Sequence, residues 1–132
     1  MSTYLLYNVI VGNKSTSEIF VVDDDSSIGD GIAGLLRLKG YRVKSFVKGS
    51  DAIKKAKESK PDLALIDYLL PGEKTEDVIR DFHDIPGEDL PIILMSASTQ
   101  AAQKAKTLPV AEFIAKPFQI ELLLETVERN IN

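Results

Sequence analysis

The residues of this sequence that could do chemistry stand directly after short apolar runs. Three aspartates occur together at 23–25, a fourth is Asp67, Ser96 comes later, and Lys116 precedes a proline. Carboxylates bind hard cations, and a lysine combined with a hydroxyl suits the oxygens of a phosphoryl group. The set therefore indicates metal-assisted phosphoryl chemistry, provided that the fold brings these residues together.

A cluster of these carboxylates would need a compensating charge. Bringing two of them within about 4 Å costs roughly 4 kcal/mol at an effective dielectric constant near 20. We expect nothing structural to offset this cost, whereas a divalent cation would. An all-oxygen site with few protein ligands favours Mg²⁺, which keeps water ligands and binds alongside phosphate. Lys116 would then supply a positive charge, and Ser96 a hydrogen-bond donor, to that phosphate.

Composition excludes most other kinds of site. The chain has 132 residues, 44% hydrophobic and 27% charged, as expected of one compact domain. It contains no cysteine and one histidine, which excludes disulfides, thiolate catalysis, Cys-ligated zinc and a His-rich metal site. A net charge of −4 argues against nucleic-acid binding, which would need a basic stripe.

Residues 1–17 are predicted to be an extension of unknown role ahead of a domain at 18–132. Residues 4–11 are apolar, but this stretch is too short to span a bilayer and lacks the flanking features of a signal peptide. We therefore expect no membrane segment, and the cytoplasm is the default location.

Five short apolar runs alternate with helical patterns along the rest of the chain. Strands are predicted at residues 19–22, 41–47, 63–67, 92–95 and 112–115, and each is followed by a helix. This alternation predicts a parallel sheet with helices on both faces, and right-handed crossovers make the α/β fold doubly wound. Functional residues of such a sheet gather outside the carboxyl ends of its strands, where the aspartates, the serine and the lysine stand.

Local signals indicate how the first helices begin and pack. Ser26 or Ser27 is the expected cap of the first helix and Ser50 that of the second, because their hydroxyls can accept from the unpaired N–H groups. Gly31 and Gly34 each cost the first helix about 1 kcal/mol relative to alanine. Their presence indicates either close backbone packing or a loosely formed helix.

Four segments, in order along the chain, resemble the receiver domains of two-component response regulators. They are residues 19–25, Asp67 with Pro71 four residues later, residues 95–97 and residues 113–118. Each segment is a weak signal alone, but the four occur in family order at nearly family spacing, and the resemblance covers residues 18–131. The resemblance implies a flavodoxin-like fold with five parallel strands in the order 2-1-3-4-5 and five helices.

The resemblance also implies which residues act. Asp67 would be the phosphoacceptor. Asp23, Asp24, Asp67 and the backbone carbonyl of Leu69 would hold Mg²⁺, with Asp23 acting directly or through water.

Other matching residues would respond to phosphorylation. Lys116 would neutralise phosphoryl charge and would be joined to Pro117 by a cis peptide bond. Ser96 would move to hydrogen-bond the phosphorylated aspartate, and Phe113 would change rotamer as the surface rearranges.

Partners follow from the same resemblance. The phosphoryl donor would be a sensor histidine kinase or a phosphotransfer protein. Since no residues remain after the fifth helix for an output domain, the signal is expected to leave by onward phosphotransfer or by protein contact. The contact face would comprise the fourth helix, fifth strand and fifth helix, and a homodimer through it is a further alternative. Departures from the family pattern at 72–75 and 108–111 concern loop shape and partner choice.

Two other functions stay open. A phosphohydrolase similar to the haloacid-dehalogenase class would use Asp23 as nucleophile, although the chain is short and Asp67 would go unexplained. A pseudo-receiver would keep the fold as a binding module without using phosphate. The aspartate that becomes an acyl phosphate distinguishes these functions.

The same residues also have ordinary structural interpretations. Asp24 and Asp25 could form a charged helix N-terminus, Asp67 an Asx-turn, and Ser96 a hydrogen bond to the backbone. His83, late in a predicted helix, is expected to be an ordinary surface residue.

Overall fold

Five parallel strands form a single sheet. The computed structural model describes residues 17–131. Within this range the strands are β1 (Glu18–Val22), β2 (Arg42–Phe46), β3 (Leu63–Asp67), β4 (Ile92–Ser96) and β5 (Glu112–Ala115). Their order across the sheet is β2-β1-β3-β4-β5, and every neighbouring pair is parallel. The predicted fold class and strand order are confirmed.

Helices cover both faces of this sheet. They are α1 (Ser26–Leu38), α2 (Gly49–Glu58), α3 (Thr75–His83), α4 (Thr99–Ala105) and α5 (Ile120–Asn130). Apolar residues of α1 and α5 join one buried cluster, whereas those of α2 and α3 join another. The sheet therefore lies between two helical layers, as in a doubly wound fold.

The central strands are apolar throughout because both of their faces are covered. All residues of β1, β3 and β4 are buried. Along β1 the side chains alternate between the two layers: Ile19 and Val21 pack with α1 and α5, and Phe20 and Val22 pack with α2 and α3. The continuous apolar runs of the sequence thus reflect burial on both faces.

Strand register brings the carboxyl ends of β1 and β3 level with each other. Val22 pairs with Ile66, so Asp23 and Asp67 leave the same edge from neighbouring strands. Ser96 ends β4, the next strand along the sheet. The edge predicted to carry function therefore gathers these residues.

The helix caps differ from the predicted ones. Neither Ser26 nor Ser27 caps α1; its N-cap is Asp25, whose carboxylate accepts from two backbone N–H groups at 3.0 and 3.3 Å. Ser50 lies inside α2, whose N-cap Lys48 makes no side-chain cap bond. A carboxylate accepts a stronger hydrogen bond than a hydroxyl does, and its charge suits the positive end of a helix.

Close packing is not the reason for Gly31 and Gly34. A Cβ added at either position would meet nothing within 4 Å outside the backbone of its own helix. The close approach is at Gly29, where a Cβ would lie 3.1 Å from Oγ of Ser45 and 3.6 Å from Cβ of Asp23. The part of α1 that needs a small residue is therefore its first turn, beside Asp23.

The predicted N-terminal extension falls almost wholly outside the described range, since the description begins at residue 17. The apolar stretch at 4–11 lies outside it too. Among residues 17–131, no helix is both long enough and apolar enough to cross a bilayer.

Candidate functional site

Three carboxylates converge at the carboxyl edge of the sheet. One oxygen each from Asp23, Asp24 and Asp67 lies within 4.8 Å of the others. Asp23 and Asp67 are buried, whereas Asp24 is exposed. The cause is the register, since β1 and β3 are neighbours and end together. The predicted acidic cluster therefore forms, with one member open to solvent.

Lys116 contacts both buried carboxylates. Its Nζ donates to Oδ2 of Asp23 at 2.8 Å and to Oδ2 of Asp67 at 2.9 Å. Burial disfavours the charged form of Lys116 and by itself lowers its pKa, but the hydrogen bonds to the two carboxylates more than offset this effect. The pKa therefore lies above its ordinary value, and the ammonium is charged at neutral pH.

The expectation that nothing structural offsets carboxylate repulsion is therefore wrong in part. An ammonium between Asp23 and Asp67 attracts both charges and lowers the Coulomb cost of bringing them together. Three carboxylates still share that ammonium, because Asp24 lies in the same cluster. An excess of negative charge remains for a cation to neutralise.

Backbone N–H groups orient both buried carboxylates. The N–H of Asp25 donates to Oδ1 of Asp23 at 2.9 Å, and the N–H of Leu69 donates to Oδ1 of Asp67 at 3.0 Å. Asp67 thus forms an Asx-turn with one oxygen while its other oxygen contacts Lys116. The structural and functional interpretations of Asp67 are compatible, because a carboxylate has two oxygens.

The donor set fits Mg²⁺. Its members are carboxylate oxygens, which hard cations prefer, and exposed Asp24 gives water access to the cluster, as an ion that retains water ligands requires. Leu69, whose carbonyl is the predicted fourth ligand, lies two residues after Asp67 and is 58% exposed. The carboxylate oxygens of the cluster suit Mg²⁺, and the full ligand set, with the Leu69 carbonyl, stays a prediction.

Ser96 and Phe113 lie on the neighbouring strands β4 and β5. Ser96 is 1% exposed, and its Oγ accepts a hydrogen bond from the N–H of Ser98 at 3.0 Å. The ordinary interpretation of this serine is therefore observed, yet a hydroxyl that accepts keeps its proton for another partner. Phe113 is partly buried and packs against the cluster of α2 and α3. The movement of both residues stays a prediction.

Three smaller predictions concern single residues elsewhere in the chain. The bond between Lys116 and Pro117 is cis, as predicted. Asp25 is not among the three clustered acids, since it caps α1. His83 is exposed, as predicted, and its Nε2 lies 2.7 Å from the carbonyl oxygen of Pro109.

Sequence reasoning missed a polar group that adjoins Asp67. The hydroxyl of Tyr68 donates to Oε2 of Glu76 at 2.7 Å, and Nζ of Lys104 lies 3.4 Å from the same oxygen. The hydrogen bond from Tyr68, followed by the smaller influence of Lys104, lowers the pKa of Glu76. These contacts join the loop after β3 to α3 and α4. Periodicity gives no signal for them because Lys104 is 28 residues from Glu76.

A protein-family model matches most of the chain. The model, described as the response regulator receiver domain, matches residues 19–128. The matched range contains the three clustered aspartates, Ser96 and Lys116.

Solved structures of receivers share the fold. The non-phosphorylated HemR receiver domain from Leptospira biflexa is 28% identical with a TM-score of 0.77, and the match covers 89% of this chain and 95% of that one. The beryllofluoride-activated NtrC4 receiver domain dimer is 28% identical with a TM-score of 0.77, over 88% and 97% of the two chains. The chemotaxis protein CheY4 of Vibrio cholerae is 23% identical with a TM-score of 0.74, over 88% and 99%, and is similar in fold.

Proposed function

This chain belongs to the response regulator receiver domain family, and on that basis we propose that it is a phosphoacceptor switch of a two-component system. Asp67 would take a phosphoryl group from a phosphohistidine, with Mg²⁺ as cofactor. One observation carries this proposal: the carboxylates of Asp23, Asp24 and Asp67 converge within 4.8 Å while Lys116 contacts the two buried ones.

In the transfer step, a carboxylate oxygen of Asp67 attacks the phosphorus atom of the phosphohistidine. An O–P bond forms and the N–P bond breaks, with its electron pair returning to the imidazole nitrogen, so the products are an acyl phosphate and histidine. Such transfer depends mainly on positioning and charge stabilisation. Both oxygens of Asp67 are already positioned, one by the N–H of Leu69 and one by Lys116.

Positive charge at the acceptor would come from two sources. Asp23, Asp24, Asp67 and the carbonyl of Leu69 would hold Mg²⁺, which neutralises oxygens of a transferring phosphoryl group. Lys116 supplies the second charge, because its Nζ lies 2.9 Å from Oδ2 of Asp67 and its raised pKa keeps it protonated.

Ser96 and Phe113 are the proposed switch residues. The hydroxyl of Ser96 accepts from Ser98, so its proton is available to a phosphoryl oxygen. Phe113 would change rotamer as Ser96 moves. Phosphorylation would act by favouring one of two existing conformations, since the phosphoryl group interacts differently with each.

The proposed output surface comprises α4, β5 and α5. Ala101 is the residue that α4 buries, so few apolar contacts resist a shift of this short helix. A downstream protein or a second copy of the chain would bind there. The homodimer is supported by the dimeric state of the activated NtrC4 receiver. The donor would be a sensor histidine kinase or phosphotransfer protein, and the proposed compartment is the cytoplasm.

A phosphohydrolase with Asp23 as nucleophile has less support. Asp23 is 1% exposed and Asp67 8%, so an incoming phosphate reaches Asp67 more readily. Family membership also favours the switch. A binding module that ignores phosphate differs from the switch in one measurable property, because it would form no adduct.

Incubation with Mg²⁺ and acetyl phosphate, followed by intact mass spectrometry, tests the proposal. We expect one phosphoryl adduct on the wild type and none on Asp67→Asn. Asp25→Asn is the matched control: it removes an aspartate two positions after Asp23 that caps α1 instead of joining the cluster, and it should keep the adduct. An adduct that survives Asp67→Asn but is lost in Asp23→Asn would identify the hydrolase. The absence of any adduct would identify the binding module.

A further inference from the structure

The loop between β3 and α3 carries Leu69, the proposed carbonyl ligand, and local contacts fix its two ends. At the start, the N–H of Leu69 donates to Asp67 at 3.0 Å. At the end, the hydroxyl of Thr75 donates to the carbonyl of Tyr68. Between these points Leu70 is 4% exposed, and it is the inward anchor of the loop.

Glu73 attaches the same loop to a distant helix. Its Oε2 accepts from the N–H of Gly49 at 2.7 Å, and its Oε1 accepts from the N–H of Ser50 at 2.8 Å. These N–H groups open α2, whose own N-cap, Lys48, makes no side-chain cap bond. The helix therefore takes its cap from the β3–α3 loop. Both bonds are charge-assisted, and the helix dipole favours the anion.

Gly49 makes this attachment close. A Cβ at Gly49 would lie 2.7 Å from Cγ2 of Val78 and 3.3 Å from Oε2 of Glu73. Only glycine lets the start of α2 approach α3 and the loop to this distance. Glu73 therefore contacts the start of α2 at the point where this helix packs against α3.

We propose that Glu73 is a positioning residue for the metal site. By holding the loop against the N-terminus of α2, it would fix the Leu69 carbonyl where the clustered carboxylates can share a cation with it. This inference rests on the proposed function. It goes beyond that function because it assigns metal affinity to a residue outside the ligand set. Coupling of this kind is reciprocal, so bound metal should also stabilise the two hydrogen bonds that the backbone N–H groups of Gly49 and Ser50 donate to Glu73.

Titration of the ¹⁵N-labelled full chain with Mg²⁺ alone, followed by NMR, tests the proposal. In the wild type, the amides of Gly49 and Ser50 should shift together with those of the cluster, and their hydrogen exchange should slow. Glu73→Ala should weaken Mg²⁺ binding about tenfold, the low end of the loss seen when outer partners of metal ligands are removed. Glu73→Gln keeps one acceptor and should weaken binding about threefold, so it gives the answer if the alanine variant does not fold.

Asp51→Asn is the matched control. It neutralises an exposed acid in the first turn of α2 without touching the loop contacts, and Mg²⁺ affinity should stay within about twofold. Two results would overturn the inference. One is a Glu73→Ala variant that melts at a lower temperature but binds Mg²⁺ as the wild type does, because Glu73 would then be a helix cap only. The other is an equal weakening by Asp51→Asn, because the effect would then be general charge. A wild type that does not bind Mg²⁺ would overturn the proposed function as well.

Discussion

Buried carboxylates have different ion partners at the two ends of the sheet. At the amino end, the carboxylate of Glu18 is 6% exposed and has its own ammonium partner, Lys44. At the carboxyl end, Asp23 and Asp67 share Lys116, and Asp24 brings a third carboxylate to the same place. The buried acid at the amino end is paired one to one, whereas the cluster at the carboxyl end keeps an excess of negative charge.

This difference separates a structural ion pair from a binding site. In a pair such as Glu18 with Lys44, the two charges neutralise each other, so no further ligand is needed. The cluster at the other end is held together against its own repulsion, which a folded domain tolerates where the charges serve a function. Removing an ammonium should therefore destabilise the protein more at the carboxyl end than at the amino end. Removing the Asp24 carboxylate should instead stabilise it.

The largest effect is expected from Lys116→Met. Two buried carboxylates would lose their ammonium, which should reduce the free energy of unfolding by about 3 kcal/mol in urea denaturation without metal. Added Mg²⁺ should restore part of it. Because the pKa of Lys116 is raised, its contribution is complete at neutral pH and is lost only as the pH rises from about 10.4 through the folded-state value.

Lys116→Arg is the control for this change. Arginine keeps the charge with a different shape, so its loss of stability should be smaller than that of the methionine variant. Equal losses would mean that packing of the side chain matters and its charge does not.

A smaller loss is expected from Lys44→Met at the amino end. Glu18 would be left without its ammonium, but the Lys44 side chain is 42% exposed, so water weakens the interaction that is lost. We expect about 1 kcal/mol, measured as for Lys116→Met. A loss as large as that of Lys116→Met would contradict the contrast between the two ends.

Asp24→Asn should stabilise the protein. Removing one carboxylate from the cluster relieves repulsion, by about 0.5–1 kcal/mol for an exposed position. The same variant should bind Mg²⁺ more weakly, which is measurable by calorimetric titration. Asp25→Asn removes an equal charge outside the cluster and keeps an N-cap residue, so it should change neither property greatly. Destabilisation by Asp24→Asn would show that the cluster is not under repulsion.

The smallest effect on stability is expected at an exposed ion pair, Arg129 with Glu112. This pair is the reference against which the ion pairs at the two ends of the sheet are compared. Arg129 donates to Glu112 at 2.8 and 2.6 Å, and these hydrogen bonds lower the pKa of the Glu112 carboxyl. A lowered pKa means that the pair stabilises the fold at neutral pH and that this contribution is lost as the pH falls through the folded-state value.

Arg129→Gln should therefore raise the pKa of Glu112 towards its ordinary value, as followed by carboxyl ¹³C titration. It should change stability less than either Lys116→Met or Lys44→Met. An unchanged pKa would mean that the pair does not persist in solution.

Much of the fold could be predicted because burial on both faces leaves a direct mark on the sequence. The runs that became β1, β3 and β4 are apolar throughout, and their carboxyl ends had to meet at one edge of a parallel sheet. The acids, the serine and the lysine of the site followed from that rule. The predicted bounds differ from the observed ones by one residue in β1, β2 and β4, which is the ordinary uncertainty of strand ends.

The caps could not be predicted in the same way. Asp25 competes with two serines next to it, and a local pattern does not decide among neighbouring acceptors. The capping role of Glu73 is harder still to predict, because Glu73 is 24 and 23 residues from the two N–H groups that donate to it. Periodicity reports which face of an element is buried, and it carries no information about which distant side chain meets a helix end.

The sequence by itself determined the elements, the edge at which they place their polar residues, and the chemistry that those residue types allow. Only the tertiary structure decided that Lys116 lies between two carboxylates, that Asp25 serves a helix while Asp24 joins the cluster, and that a loop caps α2. The reason is physical. Hydrophobic burial acts on every residue and so appears along the whole chain, whereas a hydrogen bond or ion pair depends on a few ångströms that only the packed fold fixes.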